Sequence, residues 1–164
     1  MEKYPTRCKE VSAMFDGVIQ SGLPLKIIDR NYFRRTHKPV VFPERYSPYL
    51  APNATHDDLQ VIHKQYDWAI NINSVRDSKT MFANRVYELQ AAGNLLFTNY
   101  SLGVNSLFPG VFIIKEPGEV GAVLSQFTPE EVYERQIAGV RRAMTGESCY
   151  DRIGEVLSKV GIKM

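Results

Sequence analysis

Cysteine is scarce in this chain. Cys8 and Cys149 are the only two, far apart and in no metal-ligand spacing. That excludes a disulfide framework or a zinc ribbon and fits free thiols in a reducing compartment. Long apolar runs are missing too: none approaches the roughly 20 residues of a membrane helix. Met1-Glu2-Lys3-Tyr4-Pro5 lacks the apolar core of a signal peptide. Excess charge is absent, with 20 basic against 18 acidic residues, so there is no case for nucleic acid or an acidic membrane as partner. Aromatic residues are scattered rather than interleaved with basic ones. There is no nucleophile elbow, Walker loop, GxGxxG or HExxH. His37, His56 and His63 are dispersed, and none is given a catalytic role. The default is a cytoplasmic protein, and peripheral association at the inner membrane face is compatible with that.

What the chain does have is alternation of helix and strand patterns over 164 residues, enough for one domain with a substantial core. Val11, Met14, Phe15, Val18 and Ile19 have helical spacing, and Ser21-Gly22 ends that helix. Leu25–Ile28 and Pro39–Phe42 read as short strands, and residues 45–53 as a loop rich in tyrosine and proline. Thr55 and Asp58 have capping-box-like spacing before a helix that runs to about Gln65. Strands follow at 67–73, 95–98 and 111–114, with helices at 83–92 and 119–125. Thr128-Pro129-Glu130-Glu131 is a strong helix start. An amphipathic helix over about 150–160 closes the chain.

Strands separated by helices imply an α/β fold, a Rossmann-like parallel sheet with helices on both faces. Such sheets normally open on a strand that is central in the strand order, whereas this chain opens on a helix. Two readings follow. Either the first strand is missing because the sequence is part of a longer protein, which is the favoured reading, or another segment fills the gap. A missing central strand leaves apolar edges that invite a homodimer or strand exchange.

Function concentrates between Ile70 and Gly103. Asn73 and Ser74 stand where a buried strand ends, at the crevice where open α/β sheets bind ligands. In the polar loop that follows, Arg76 and Lys79 suit a diphosphate. Ser78 or Thr80 suits a helix cap or a phosphate oxygen, and a helix start favours an anion. Arg85 and Glu88 are three apart, on one helix face. They read either as a surface ion pair of about 0.5 kcal/mol or less or as a carboxylate free to accept from two ribose hydroxyls. Phe82, Val86 and Leu89 supply the core stripe, so Glu88 is not needed for packing. Gly93 permits a left-handed cap or a close approach of helix to strand. Asn99 and Tyr100 end the next strand beside the same crevice, and Asp29 and Arg30 end the first strand at its rim.

The run from Asn71 to Gly93 resembles the donor-binding half of GT-B glycosyltransferases, the spore-maturation-protein-like or glycosyl transferases group 1 family. The shared pattern is a strand ending in Asn, a Thr-Met-Phe loop, then Arg, two residues, Glu, and a glycine before the next strand. Thr98-Asn99-Tyr100, Tyr4-Pro5-Thr6-Arg7, Leu25–Arg30 and Tyr150-Asp151-Arg152-Ile153 also look like that family, so the resemblance covers nearly the whole chain. It implies one half of a GT-B fold: a single domain over residues 1–164 that binds a nucleotide-diphosphate sugar for transfer to a glycan or other acceptor. Glu88 would bind the ribose hydroxyls. Arg85 and the loop Ser78–Phe82, including Thr80 and Met81, would lie near the diphosphate and sugar. The best-known retaining enzymes of the fold carry a second glutamate seven residues earlier, where this chain has Met81. The resemblance also implies no bound metal, no cofactor beyond the donor itself, and catalysis that needs an N-terminal domain or partner chain. The alternative is a non-catalytic module derived from the fold, binding a nucleotide or a protein. A receiver domain is disfavoured because its third strand needs a terminal aspartate, where this chain has Asn71-Ile72-Asn73.

Overall fold

A computed structural model describes residues 5–33, 42–145 and 148–162. Helix α1 (Pro5–Gln20) comes first, then β1 (Ile27–Ile28), a 3-10 turn (Glu44–Tyr49) and β2 (Leu50–Ala51). Next are α2 (His56–His63), β3 (Trp68–Asn71), α3 (Arg85–Ala91), β4 (Leu95–Thr98) and α4 (Leu102–Leu107). The chain continues through β5 (Val111–Ile113), α5 (Gly118–Leu124), α6 (Pro129–Met144) and α7 (Cys149–Lys159). The fold is α/β and Rossmann-like, and the strand pairs among the described residues are parallel.

Among the described residues the strands form two sheets rather than the single one expected. One pairs β1 with β2; the other runs β3-β4-β5. Of the expected strand at 39–42, residues 39–41 lie outside the described residues, as does His37. Phe42 is not in a strand, and its ring lies 6.2 Å from that of Phe15. β2 arises within the tyrosine- and proline-rich stretch read as a loop, and α4 arises directly after β4, where the sequence pattern marked no element.

Strand alternation distributes the core to both faces of the larger sheet. Trp68, Ile70, Phe97 and Phe112 pack against Met14 and Val18 of α1 and Val120 of α5. Trp68 stacks on Phe97 with ring centroids 4.6 Å apart. On the opposite face Ala69, Leu96 and Val111 meet Val86 and Leu89 of α3 and Val104 of α4. Helix α1 also turns Phe15, Val11 and Ile19 towards Ile27, Tyr46 and Leu50, so one helix spans both sheets.

Local chemistry explains the helix ends. Thr128 and Glu131 close a reciprocal capping box on α6, and Ser148 and Asp151 do the same for α7. The α3 helix ends with Gly93 at φ +90°, where a built Cβ would meet nothing within 4 Å. Its glycine therefore serves the left-handed cap and not a close approach. Helix α7 leaves Tyr150, Ile153, Val156 and Val160 exposed. No helix among the described residues is long and apolar enough to cross a membrane.

Candidate functional site

The carboxyl ends of β3 and β4 are tied together by amide side chains. Asn71, Asn73, Thr98 and Asn99 are at most 4 % exposed. Buried polar groups need partners, and here they supply one another. Asn71 donates from Nδ2 to Asn73 Oδ1 (3.0 Å) and Thr98 Oγ1 (3.3 Å). Asn73 donates from Nδ2 to Thr98 Oγ1 (2.9 Å) and the Asn99 carbonyl (3.2 Å). The Asn99 side chain accepts from the Asn73 backbone N–H (2.8 Å) and donates to the Asn73 carbonyl (3.0 Å). That amide acts as a further rung of the β3–β4 ladder. Both amide protons of Asn73 and of Asn99 are thus engaged within the protein. These residues hold the strand ends and the loops that leave them.

Glu10 of α1 completes the cluster. Its carboxylate accepts from Asn99 Nδ2 (3.1 Å) and pairs with Arg76 at 2.8 Å. Arg7 donates to Ser74 Oγ at 3.0 Å. The amino end of α1 therefore lies over the start of the 74–84 loop. Local sequence pattern missed Glu10, whose partners are 66 and 89 residues away.

Within the loop, Ser78 Oγ accepts from the backbone N–H of Thr80 (3.2 Å) and Met81 (3.0 Å). This corrects the expectation that Ser78 or Thr80 caps the following helix: α3 starts only at Arg85, and its N-cap Asn84 makes no side-chain cap bond. Ser78 shapes its own turn instead, a competing local bond of the kind hydroxyls favour. Ser74, Lys79, Thr80 and Met81 are exposed, and Arg76 is half-buried. Phe82 is drawn into the core, edge-on to Phe108 at 5.3 Å. The loop rests on α4: a Cβ at Gly103 would come within 2.8 Å of both the Lys79 carbonyl and the Phe82 ring. Tyr100 is exposed at the end of β4, and the buried hydroxyl of Ser101 beside it has no partner among the described residues.

The remaining expected residues belong elsewhere. Arg30, Arg85 and Glu88 line a cavity of about 1150 Å³ between β1 and β3, together with Asp29 and His63. Asn73, Ser74, Arg76, Asn99, Tyr100 and the 78–82 loop do not line it. The candidate residues therefore fall into two groups, one at the strand ends and one in the cavity. Arg85 and Glu88 are exposed, and among the described residues they form no ion pair. Glu88 sits in the first turn of α3. Burial, and then the positive charge of Arg85, depress the pKa of His63 below its ordinary value, which Glu88 partly offsets. Among the described residues no cluster of three His, Cys, Asp or Glu side chains is arranged to hold a metal ion. The chain matches no known family profile, no curated protein and no solved structure.

Proposed function

We propose that this chain is the donor-binding half of a GT-B glycosyltransferase, taking a nucleotide-diphosphate sugar for transfer to a glycan or other acceptor. The observation that supports it best is Glu88. It is an exposed carboxylate in the first turn of α3, outside the core stripe and without an ion pair among the described residues. A carboxylate in that state is available to two adjacent ribose hydroxyls. Arg85, exposed one turn earlier on α3 and lining the same cavity, offers a cation to a diphosphate. Transition-state charge on the departing nucleoside diphosphate would be stabilised by such a group. The acceptor and any general base come from another domain or chain, in the cytoplasm or at the inner membrane face.

A second reading is a nucleotide- or protein-binding module without turnover. The Arg76–Glu10 pair favours it, because the loop's arginine is already neutralised within the protein. Thermal-shift titration with UDP, GDP, ADP, CMP and dTDP tests the site common to both readings. One nucleotide raises the melting temperature, and Glu88→Ala abolishes that rise. No shift with any of the five, from a sample that melts cooperatively, overturns the donor-site reading. Transfer to an acceptor by a longer chain carrying both halves then separates enzyme from module.

A further inference from the structure

Helix α7 contributes no residue to the three apolar clusters of the core among the described residues. Its side chains from Tyr150 to Lys159 are all exposed or half-buried. The Ser148–Asp151 capping box fixes its start. An isolated helix of fewer than roughly 12–15 residues is nevertheless marginal in water, and α7 has 11. Packing of an apolar face is what ordinarily stabilises a helix of this length. Such a face is present and uncovered. Tyr150, Ile153, Val156 and Val160 are 73, 56, 60 and 64 % exposed, and Leu157 is half-buried. Their spacing puts all five on one side of the helix.

The charges of α7 bear on what covers that face. Asp151 and Glu155 are matched by Arg152 and Lys159, so the helix side chains carry no net charge. Glu155 pairs with Lys159 at 2.8 Å and with Arg152 at 3.9 Å. There is no positive excess to hold the helix on an anionic bilayer, and no like charge in excess to repel an identical helix. Symmetry points to an identical helix. The steps from Tyr150 to Ile153, Leu157 and Val160 are 3, 4 and 3 residues, a spacing that reads the same from either end. An antiparallel copy therefore sets Tyr150 against Val160 and Ile153 against Leu157, the self-complementary match that a two-fold interface requires. The two helix dipoles then run in opposite directions, which is the favourable arrangement.

We propose that α7 is a dimerisation surface, its apolar stripe packed antiparallel against the same stripe of a second copy of this chain. The area fits a weak dimer. The exposed parts of Tyr150, Ile153, Val156 and Val160 amount to roughly 450 Å² per copy, reckoned from their fractional exposures and ordinary side-chain areas. Arg152 and Lys159, four before and three after Val156, border the stripe, and their aliphatic stems extend it. A pair of copies then covers about 1,000 Å², below the standard interface of about 1,600 Å² and in the range of transient complexes. Association at micromolar concentrations and above follows. This surface is separate from the sheet edges that the sequence pattern marked as a route to a dimer. It involves neither Glu88 nor Arg85, so the proposal stands whether or not a nucleotide binds there.

Sedimentation equilibrium of the full chain, from about 1 μM to about 1 mM, tests this. The mass rises with concentration from the 18.7 kDa of one copy towards twice that value. Ile153→Glu and Val160→Glu, at separate points of the stripe, each bury an unpaired charge in the pair and weaken association about 100-fold. Both side chains are exposed in the single copy, so neither substitution disturbs the core. Tyr133→Glu, on α6 and 63 % exposed, leaves association unchanged. A chain that stays monomeric at the highest concentration overturns the proposal. So does a dimer that both stripe variants preserve, which would assign association to another face. A monomeric chain that floats with phosphatidylserine vesicles would assign the stripe to a membrane surface and overturn it as well.

Discussion

Glu10 and Arg76, 66 residues apart, meet at 2.8 Å where α1 crosses the loop that leaves β3. The same carboxylate accepts from Asn99, so one acidic side chain fixes both a strand end and the loop's arginine. Under the donor-binding proposal this pair competes with a diphosphate for Arg76.

Glu10→Gln therefore separates stability from affinity. The Arg76 side chain is 41 % exposed, so losing the pair costs only about 1 kcal/mol in urea unfolding. Nucleoside diphosphate affinity rises several-fold as Arg76 becomes available, and adding Arg76→Ala removes the gain. Titration calorimetry on the single and double variants checks both statements.

Asn73 behaves oppositely. Asn73→Ala removes one of two hydrogen-bond partners from the Asn71 amide and from the Asn99 carbonyl, each of which keeps Thr98 Oγ1, so the loss of these buried bonds costs about 1–2 kcal/mol. Thr98 Oγ1 also loses a donor. Because both Asn73 amide protons are engaged inside the protein, the loss appears as a lower melting temperature. Nucleotide affinity of the folded fraction changes little. A large affinity loss with an unchanged melting temperature would refute the positioning role.

The parallel α/β fold was legible because β4 is buried on both faces and reads as a continuous apolar run. The capping box at Thr128 and Glu131 was legible because it is local, three residues wide. What was not legible depends on distance in sequence. Glu10 acts on Arg76 and Asn99, and no periodicity in α1 marks it. β2 is two residues long, too short for an alternation, and is held in place by its pairing with β1. Helix α4 carries Gly103, Val104 and Asn105 in its first turns, poor helix formers that tertiary packing overrides. The candidate residues were read as one crevice because they are contiguous in sequence. The long loop before α3 instead carries Arg85 and Glu88 away from Asn73 and towards α2.

Stability should fall in two steps on acidification. The pKa of His63 is depressed below its ordinary 6.5 by burial and then by Arg85. The unfolded chain therefore binds the proton more readily, and stability falls as pH drops from 6.5 to the lower folded value. Glu119 accepts the backbone N–H of Lys115 and of Glu116, which holds its pKa below the ordinary 4.5. Its contribution is present above 4.5 and is lost as pH falls through the depressed folded value. Melting temperatures across this range show both steps. His63→Gln removes the upper one, and Glu119→Gln the lower.

Two glycines should separate a fold effect from a site effect. Gly93 holds φ +90° with open space around it, so Gly93→Ala strains the α3 cap by about 1–2 kcal/mol and moves nothing else. Gly103 has no positive φ, but a Cβ there would meet the carbonyls of Lys79 and Ser78 at 2.8 and 3.0 Å. Backbone atoms cannot swing aside as a flexible side chain does, so Gly103→Ala must displace the 78–82 turn from α4. That displacement also disturbs the bond from Gly103 N–H to the Ser78 carbonyl. If this loop meets the diphosphate, nucleotide affinity falls about tenfold in Gly103→Ala and stays at the unmodified chain's value in Gly93→Ala. Both are compared at a temperature where each variant is folded. Equal affinities would detach the 78–82 loop from ligand binding and leave Glu88, inside the cavity, as the residue on which the donor site rests.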